Sequence, residues 1–192
     1  YSPSDEMKII ALKPGWAEQD TEIWWTNLKT AIAECTQKLG QKKNNIGAIG
    51  ISYQMHGLVA VDQNNKVLRN SIIWCDSRAV VYGAKALKSL GQDYCLSHLL
   101  NSPGNFTASN LAWVKENEPG LFSKIHKVMW PGDYIALRLT GEIFTSFTGL
   151  SEGILWDFYL NKVSDKLMNF FGFDSGLLPE AASSFSISGR LL

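Results

Sequence analysis

The sequence predicts a mixed α/β fold in which a small, partly antiparallel sheet is flanked by helices. Three observations predict this fold class. A helical pattern follows Asp20, a hairpin pattern surrounds residues 62–65, and beyond Ala79 helical patterns alternate with single short strands. The 192 residues are enough for a sizeable core, and 45% of them are apolar, as is typical of a globular chain.

The first helix is predicted from its cap and its apolar face. Asp20 is a good N-cap, and apolar side chains then recur every three or four residues as far as Leu39. Gly40 and the polar residues after it end the helix. The short apolar run 46–51 then predicts a buried strand.

A β-hairpin is predicted around a turn-rich tetrad. Residues 58–61 and 66–68 are apolar runs, and Asp62-Gln63-Asn64-Asn65 separates them. Asp and Asn favour turns because their short side chains bond the neighbouring backbone. Residues 71–74 predict a third short strand.

The remaining elements are predicted from caps, breakers and apolar spacing. They are helices over 79–90, 93–100, 110–117 (capped by Ser109), 133–139 (capped by Asp133) and 164–171 (capped by Ser164), with strands at 127–130 and 143–146.

Composition excludes several classes of function. The 18 basic residues balance the 18 acidic residues, so the chain has no basic field for nucleic acid. No apolar run is long enough to cross a membrane. Cys35, Cys75 and Cys95 are odd in number and far apart, which favours a reduced, cytoplasmic protein without a disulfide framework or zinc site.

The stretch Tyr53-Gln54-Met55-His56-Gly57 interrupts two apolar runs with polar and special residues. Strand alternation would place Gln54 and His56 on one face and Met55 on the other. An imidazole both donates and accepts hydrogen bonds, so His56 suits a hydroxyl-rich ligand. The alternative is an ordinary histidine at a strand end with its hydrogen bonds satisfied.

A second candidate group is Trp74, Asp76 and Arg78. The tryptophan could form an apolar wall against a sugar, with the charged pair as a hydrogen-bonding edge. The alternative is a buried tryptophan beside a salt bridge at a helix start, where Asp is favoured in any case. The sequence contains no phosphate-binding glycine motif and no serine nucleophile elbow.

Six segments carry a recognisable order and spacing. They are GWAEQD followed by WW (15–25), GISYQMHGLVAVD (50–62), VLRNSIIWCDSRA (67–79), PGNFTASNLAWVKENEP (103–119), PGDYIALRLTGE (131–142) and SEGILWD (151–157). Together they resemble the xylulokinase-like branch of the FGGY family of carbohydrate kinases. The Met-His pair distinguishes that branch from the glycerol kinase branch, which carries Arg-Glu at the matching place.

The resemblance implies an actin-like ATPase, or ribonuclease H-like, fold. Family members have two such domains with a deep cleft between them. Residues 1–192 would be an incomplete first domain that binds sugar. The first phosphate-loop hairpin, the segment with the catalytic Asp and the C-terminal nucleotide domain are absent from it. The chain alone is therefore expected to be inactive.

The activity implied by the resemblance is ATP-dependent phosphorylation of D-xylulose to xylulose 5-phosphate. ATP and Mg²⁺ would act in the full-length enzyme, and neither is expected on this chain alone. The resemblance also implies a homodimer. One alternative is another FGGY kinase, whose substrate is gluconate or a ketose other than xylulose. The other is a non-catalytic sugar-binding module.

The resemblance also assigns site residues. The substrate-binding residues would be Met55, His56, Trp74 and Asn105, the last in a loop that faces the substrate. Gln54, Asp76 and Arg78 would support them. The chain would supply no catalytic residue, because the base is an Asp in a Gly-Asp-Asn-Ala-like segment beyond residue 192, and it would supply no metal ligand.

Overall fold

A computed structural model describes residues 3–187 and 189–192, which form helices around short paired strands. The α-helices are Thr21–Leu39 (α1), Val80–Leu90 (α2), Gln92–Tyr94 (α3), Thr107–Asn117 (α4), Pro119–Phe122 (α5), Pro131–Thr140 (α6), Phe147–Glu152 (α7) and Asp165–Phe171 (α8). The strands are Glu18–Gln19 (β1), Val59–Val61 (β2), Ser71–Ile72 (β3), Lys127–Met129 (β4), Phe144–Ser146 (β5), Trp156–Asp157 (β6), Lys162–Val163 (β7) and Glu180–Ala182 (β8).

The strands pair in both directions, as the sequence predicts. β1 with β3, β2 with β4, and β6 with β7 are antiparallel pairs, whereas β5 and β8 are parallel. A bridge between Leu58 and Ile72 links the first two pairs. None of the described helices combines the length and the hydropathy that a bilayer crossing requires.

Two helix caps lie where the sequence predicts them. The Asp20 carboxylate accepts a hydrogen bond from the Glu22 amide at 2.9 Å and begins α1. The Ser164 hydroxyl accepts one from the Leu167 amide at 3.2 Å and begins α8. Each side chain satisfies an amide that has no partner within its helix.

Two other predicted caps are wrong. α4 begins at Thr107, so Ser109 lies inside it, and its hydroxyl donates to the Pro103 carbonyl at 3.1 Å. α6 begins at Pro131, whose fixed φ suits the first helical position. Asp133 is therefore the third residue of α6 rather than its cap.

The hairpin prediction is confirmed. The Asp62 amide donates to the Lys66 carbonyl at 2.9 Å, and Val61 bridges Val67 across the turn. Asn65 has a φ of 61°, in the left-handed region that asparagine tolerates.

The predicted strand over 46–51 is wrong for the described part of the chain. These residues form neither helix nor strand, and Ile46, Ile49 and Ile51 are exposed. A strand needs a neighbour for its amides and carbonyls. None of the described strands pairs with this segment.

The core lies on both faces of β2. Leu58 and Ala60 pack into the larger apolar cluster, together with the fully buried Trp130. Val59 and Val61 pack into the smaller cluster beside α1. Alternate side chains along a strand point to opposite faces, so β2 is a central element. The stretch that contains Met55 and His56 enters this buried strand directly.

Gly57 fixes the position of that stretch against α6. A Cβ atom at residue 57 would lie 2.5 Å from Cγ of Pro131, so only glycine allows this approach. Gly132, the next residue of α6, packs closely against the Tyr53 ring. The two contacts hold the 53–57 segment at the first turn of α6.

Candidate functional site

A cavity of about 300 Å³ opens beside the Met55–His56 turn. Its lining combines apolar side chains with hydroxyl, amide, imidazole and carboxylate groups, which is typical of a small-molecule site. The lining residues are Met55, His56, Leu99, Leu100, Asn101, Phe106, Thr148, Ser151, Glu152, Ile154 and Phe158.

His56 is held in an unusual backbone conformation by Glu152. Its φ is 60°, in the left-handed region that non-glycine residues rarely adopt. Its backbone amide donates a hydrogen bond to the Glu152 carboxylate. Its Nδ1 lies 3.1 Å from Oε1 and 3.1 Å from the backbone carbonyl oxygen of Glu152. The end of α7 therefore anchors both the backbone and the ring of His56.

The His56 ring is also held from its other side. The Phe106 ring meets it edge to face, with 4.2 Å between the ring centroids. Asn110 on α4 donates to the His56 carbonyl at 3.5 Å. The imidazole remains partly exposed towards the cavity.

The predicted alternation of this stretch is wrong. Met55 and His56 both line the cavity, whereas the Gln54 amide donates to the Gln19 side chain at 3.3 Å. The reason is the left-handed backbone at His56, because alternation holds only while the chain stays extended.

The structure does not bring Trp74 and Asn105 into this cavity. Trp74 is 62% exposed and lies outside the lining. The Asn105 amide donates to the backbone carbonyl of Asp76, and its side-chain oxygen is buried without a partner among the described residues. Two of the four predicted substrate residues therefore share the cavity.

Asp76 and Arg78 form a buried ion network rather than a cavity edge. The Arg78 guanidinium donates two hydrogen bonds to Oδ2 of Asp76, one from Nε at 2.9 Å and one from Nη2 at 2.7 Å. Its Nη1 lies 2.7 Å from the Glu18 carboxylate. The guanidinium also lies 3.8 Å from the centre of the Trp16 ring. These contacts tie the 76–78 turn, and with it the carbonyl that receives Asn105, to β1.

The sequence analysis did not predict the buried acidic cluster of Tyr53, Asp133 and Glu152 beside the cavity. Burial raises the pKa of Asp133 from 3.8 to about 7. Burial also raises the pKa of Glu152, although the hydrogen bond from His56 opposes this. Burial, then the charges of Asp133 and Glu152, raises the pKa of Tyr53 well above its usual range. Burial on this side of the site therefore opposes the charged form of Asp133, whereas at Glu152 the contact with His56 counters this effect.

The sequence carried only a weak signal for Glu152. It stands in the quoted segment SEGILWD, 96 positions after His56, and nothing local connects the two. Tyr53 stands two residues before Met55, and Asp133 has a sequence context that fits a helix cap equally well.

The described residues do not provide a metal site. Within 3–187 and 189–192, no group of three or more His, Cys, Asp or Glu side chains is placed to hold a metal ion. The described lining of the cavity contains no Lys or Arg side chain. The hydroxyl, amide, imidazole and carboxylate groups of this cavity suit an uncharged, hydroxylated molecule.

Comparison with known proteins supplies the family. The family model for the N-terminal domain of the FGGY family of carbohydrate kinases matches residues 2–192. The chain belongs to this family. The mixed α/β fold is accordingly the actin-like ATPase, or ribonuclease H-like, fold of FGGY sugar kinases, as the sequence resemblance implies.

The similar proteins are longer than this chain. Xylulose kinases from Bacillus subtilis (strain 168) and Escherichia coli (strain K12) are each 32% identical over 98% of the chain. A solved xylulose kinase from Rhodospirillum rubrum matches 97% of the chain with 26% identity and a TM-score of 0.89. In all three comparisons the chain spans 38% of the relative's length.

Proposed function

We propose that this chain is the greater part of the first domain of an ATP-dependent sugar kinase. The enzyme transfers the terminal phosphoryl group of ATP to D-xylulose and forms xylulose 5-phosphate. The chain supplies much of the sugar pocket. The observation that carries this proposal is the Met55–His56 pair, which lines a cavity of a size suited to a small sugar, in a chain similar to several xylulose kinases.

Within this proposal, the cavity binds the sugar mainly by its hydroxyl groups. His56, Asn101 and Ser151 offer hydrogen-bonding groups, and Met55 offers an apolar floor. Trp74 has an exposed ring that could stack on a sugar reaching beyond the cavity. Asn105 stays in the proposal as a substrate contact, and Asp76 and Arg78 hold its loop in place.

The remaining parts of the enzyme lie outside residues 1–192 in this proposal. They are the phosphate-binding hairpin, the base that accepts the proton of the sugar hydroxyl, and the domain for ATP and Mg²⁺. Exposed Ile46, Ile49 and Ile51 support this division, because an apolar segment without a strand partner suits a sheet that continues in a longer chain. Phosphoryl transfer depends chiefly on positioning and charge stabilisation, which need both halves of the cleft.

A side-by-side substrate assay tests the proposal. We expect the full-length protein to phosphorylate xylulose with ATP at a kcat/KM about tenfold or more above those for ribulose, gluconate and glycerol. Residues 1–192 alone should show no turnover, because the base and the nucleotide domain are missing. The assay follows ADP release and identifies the sugar phosphate by mass.

Three outcomes would contradict this assignment. Preferred turnover of gluconate would favour a sibling kinase. Xylulose binding without any turnover by the full-length protein would favour a non-catalytic sugar-binding module. Turnover by residues 1–192 alone would show that the parts assigned to other segments are already present.

A further inference from the structure

We propose that Glu152 is a positioning residue for His56, holding the imidazole so that Nε2 accepts a hydrogen bond from a hydroxyl of the sugar. This inference rests on the proposed function. Glu152 lies at the end of α7, and its side chain is largely buried. Its contacts with His56 involve both its carboxylate and its backbone carbonyl.

The contacts determine which ring nitrogen carries the proton. A backbone carbonyl oxygen can only accept a hydrogen bond, and the Glu152 carbonyl lies 3.1 Å from Nδ1 of His56. Nδ1 must therefore be the donor, and the carboxylate Oε1 at 3.1 Å is a second acceptor for the same proton. In the neutral ring, Nε2 then has a free lone pair.

The contacts also hold the backbone of His56. A left-handed conformation is unfavourable for a residue with a Cβ atom. The bond from the His56 amide to the Glu152 carboxylate compensates for this, because a charged acceptor strengthens a hydrogen bond. The other carboxylate oxygen, Oε2, is buried without a partner among the described residues. Among the described residues, the Glu152 carboxylate therefore forms hydrogen bonds only with His56.

The Glu152 carbonyl is available because of its place in the helix. The last residues of a helix have carbonyl groups without partners inside that helix. Glu152 is the last residue of α7, and its carbonyl turns to Nδ1 of His56. Phe106 then limits rotation of the ring from the other side. Nε2 of His56 is therefore the ring nitrogen that faces a ligand. Because it is a hydrogen-bond acceptor, it favours a ligand that offers a hydroxyl group as donor.

The kinetic test uses the full-length protein and three variants of one residue. E152A removes the carboxylate, E152D shortens it so that it cannot reach His56, and E152Q keeps an acceptor oxygen at the same position. We expect E152A and E152D to raise the KM for xylulose roughly ten- to a hundredfold, as for the loss of hydrogen bonds to a charged group. The KM for ATP should not change, and E152Q should recover most of the loss. E142A, which removes an exposed carboxylate, is the matched control.

Two NMR measurements test the geometry without depending on activity. In the wild-type protein, the ¹⁵N shifts of neutral His56 should show the proton on Nδ1. Exchange of the His56 amide hydrogen should be about tenfold faster or more in E152A, while E142A behaves as the wild type. His98, whose Nδ1 lies 2.9 Å from Asp157, is an internal reference that should be the same in every variant.

Each result separates this inference from the proposed function. A wild-type ring protonated on Nε2, or an unchanged amide exchange rate in both E152A and E152D, would overturn the role of Glu152 even if xylulose is the substrate. A normal KM for xylulose in both variants would overturn it as well. Absence of wild-type xylulose turnover would overturn the proposed function, and the NMR results would still decide the His56 contact. If E152A fails to fold, E152D gives the same decision.

Discussion

Replacing Arg78 with methionine is expected to lower the free energy of unfolding by about 3–5 kcal/mol, the usual cost of breaking a buried ion pair by removing one partner. Methionine keeps most of the apolar stem, so packing changes little. The Arg78 side chain is only 1% exposed, and both carboxylates that it contacts are buried. Removing the guanidinium leaves Asp76 without a cation among its described contacts.

Urea unfolding of the chain measures this effect, and two further variants define its cause. Arg78→Lys keeps the charge but loses the planar fork, so an intermediate loss of stability is expected. Arg138→Met is the matched control, because Arg138 pairs with the exposed Glu22 at the surface. That pair should contribute less than about 1 kcal/mol. Equal effects of Arg78→Met and Arg138→Met would refute a special role for the buried network.

Replacing Asp133 with asparagine is expected to stabilise the chain at pH 8 and to have little effect at pH 4. The folded-state pKa of Asp133 is about 7, above its ordinary value of 3.8. The folded protein therefore binds this proton more tightly than the unfolded chain does. The resulting stabilisation is complete below pH ~4 and is lost as the pH rises through about 7.

The expected gain in stability follows from the size of the pKa shift of Asp133. One pKa unit corresponds to about 1.4 kcal/mol, so a shift of roughly three units amounts to about 4 kcal/mol at full ionisation. Asparagine does not titrate, and its amide oxygen can still accept the bond from the Trp130 amide that Asp133 receives at 3.4 Å. We expect Asp133→Asn to gain about 2–4 kcal/mol over the wild type between pH 4 and pH 8.

Unfolding by urea at several pH values tests this dependence. The stability difference between Asp133→Asn and the wild type should grow steadily from pH 4 to pH 8. Asp93→Asn, which removes an exposed carboxylate, should show a nearly constant and small difference. A difference for Asp133→Asn that stays flat across this range, or that shrinks as the pH rises, would contradict burial as the cause of the raised pKa.

Local signals made part of the fold predictable. The Asp20 cap, the apolar spacing of α1 and the Asp62–Asn65 turn each depend on residues that are close in sequence. The local sequence alone is therefore enough to predict them. The segment 46–51 shows the limit of such signals. Its apolar composition suits a strand, but strand formation needs a partner, and no described strand provides one.

The candidate site was predictable only at its centre. Met55 and His56 stood out because they interrupt two apolar runs, and both line the cavity. Their conformation depends on Glu152, which lies far along the chain, and on a left-handed φ that strand alternation does not anticipate. The buried position of Asp133 was equally hidden, because the sequence suggested only a cap at a helix start.

The claim that Met55 and His56 form the floor of a sugar pocket is tested most directly by the kinetics of His56→Asn in the full-length protein. Asparagine tolerates the left-handed backbone but lacks the imidazole Nε2. We expect kcat/KM for xylulose to fall by about a hundredfold, with the KM for ATP unchanged. His126→Ala, which removes an exposed histidine outside this cavity, should keep full activity. Xylulose kinetics of His56→Asn within threefold of the wild type would contradict the sugar pocket.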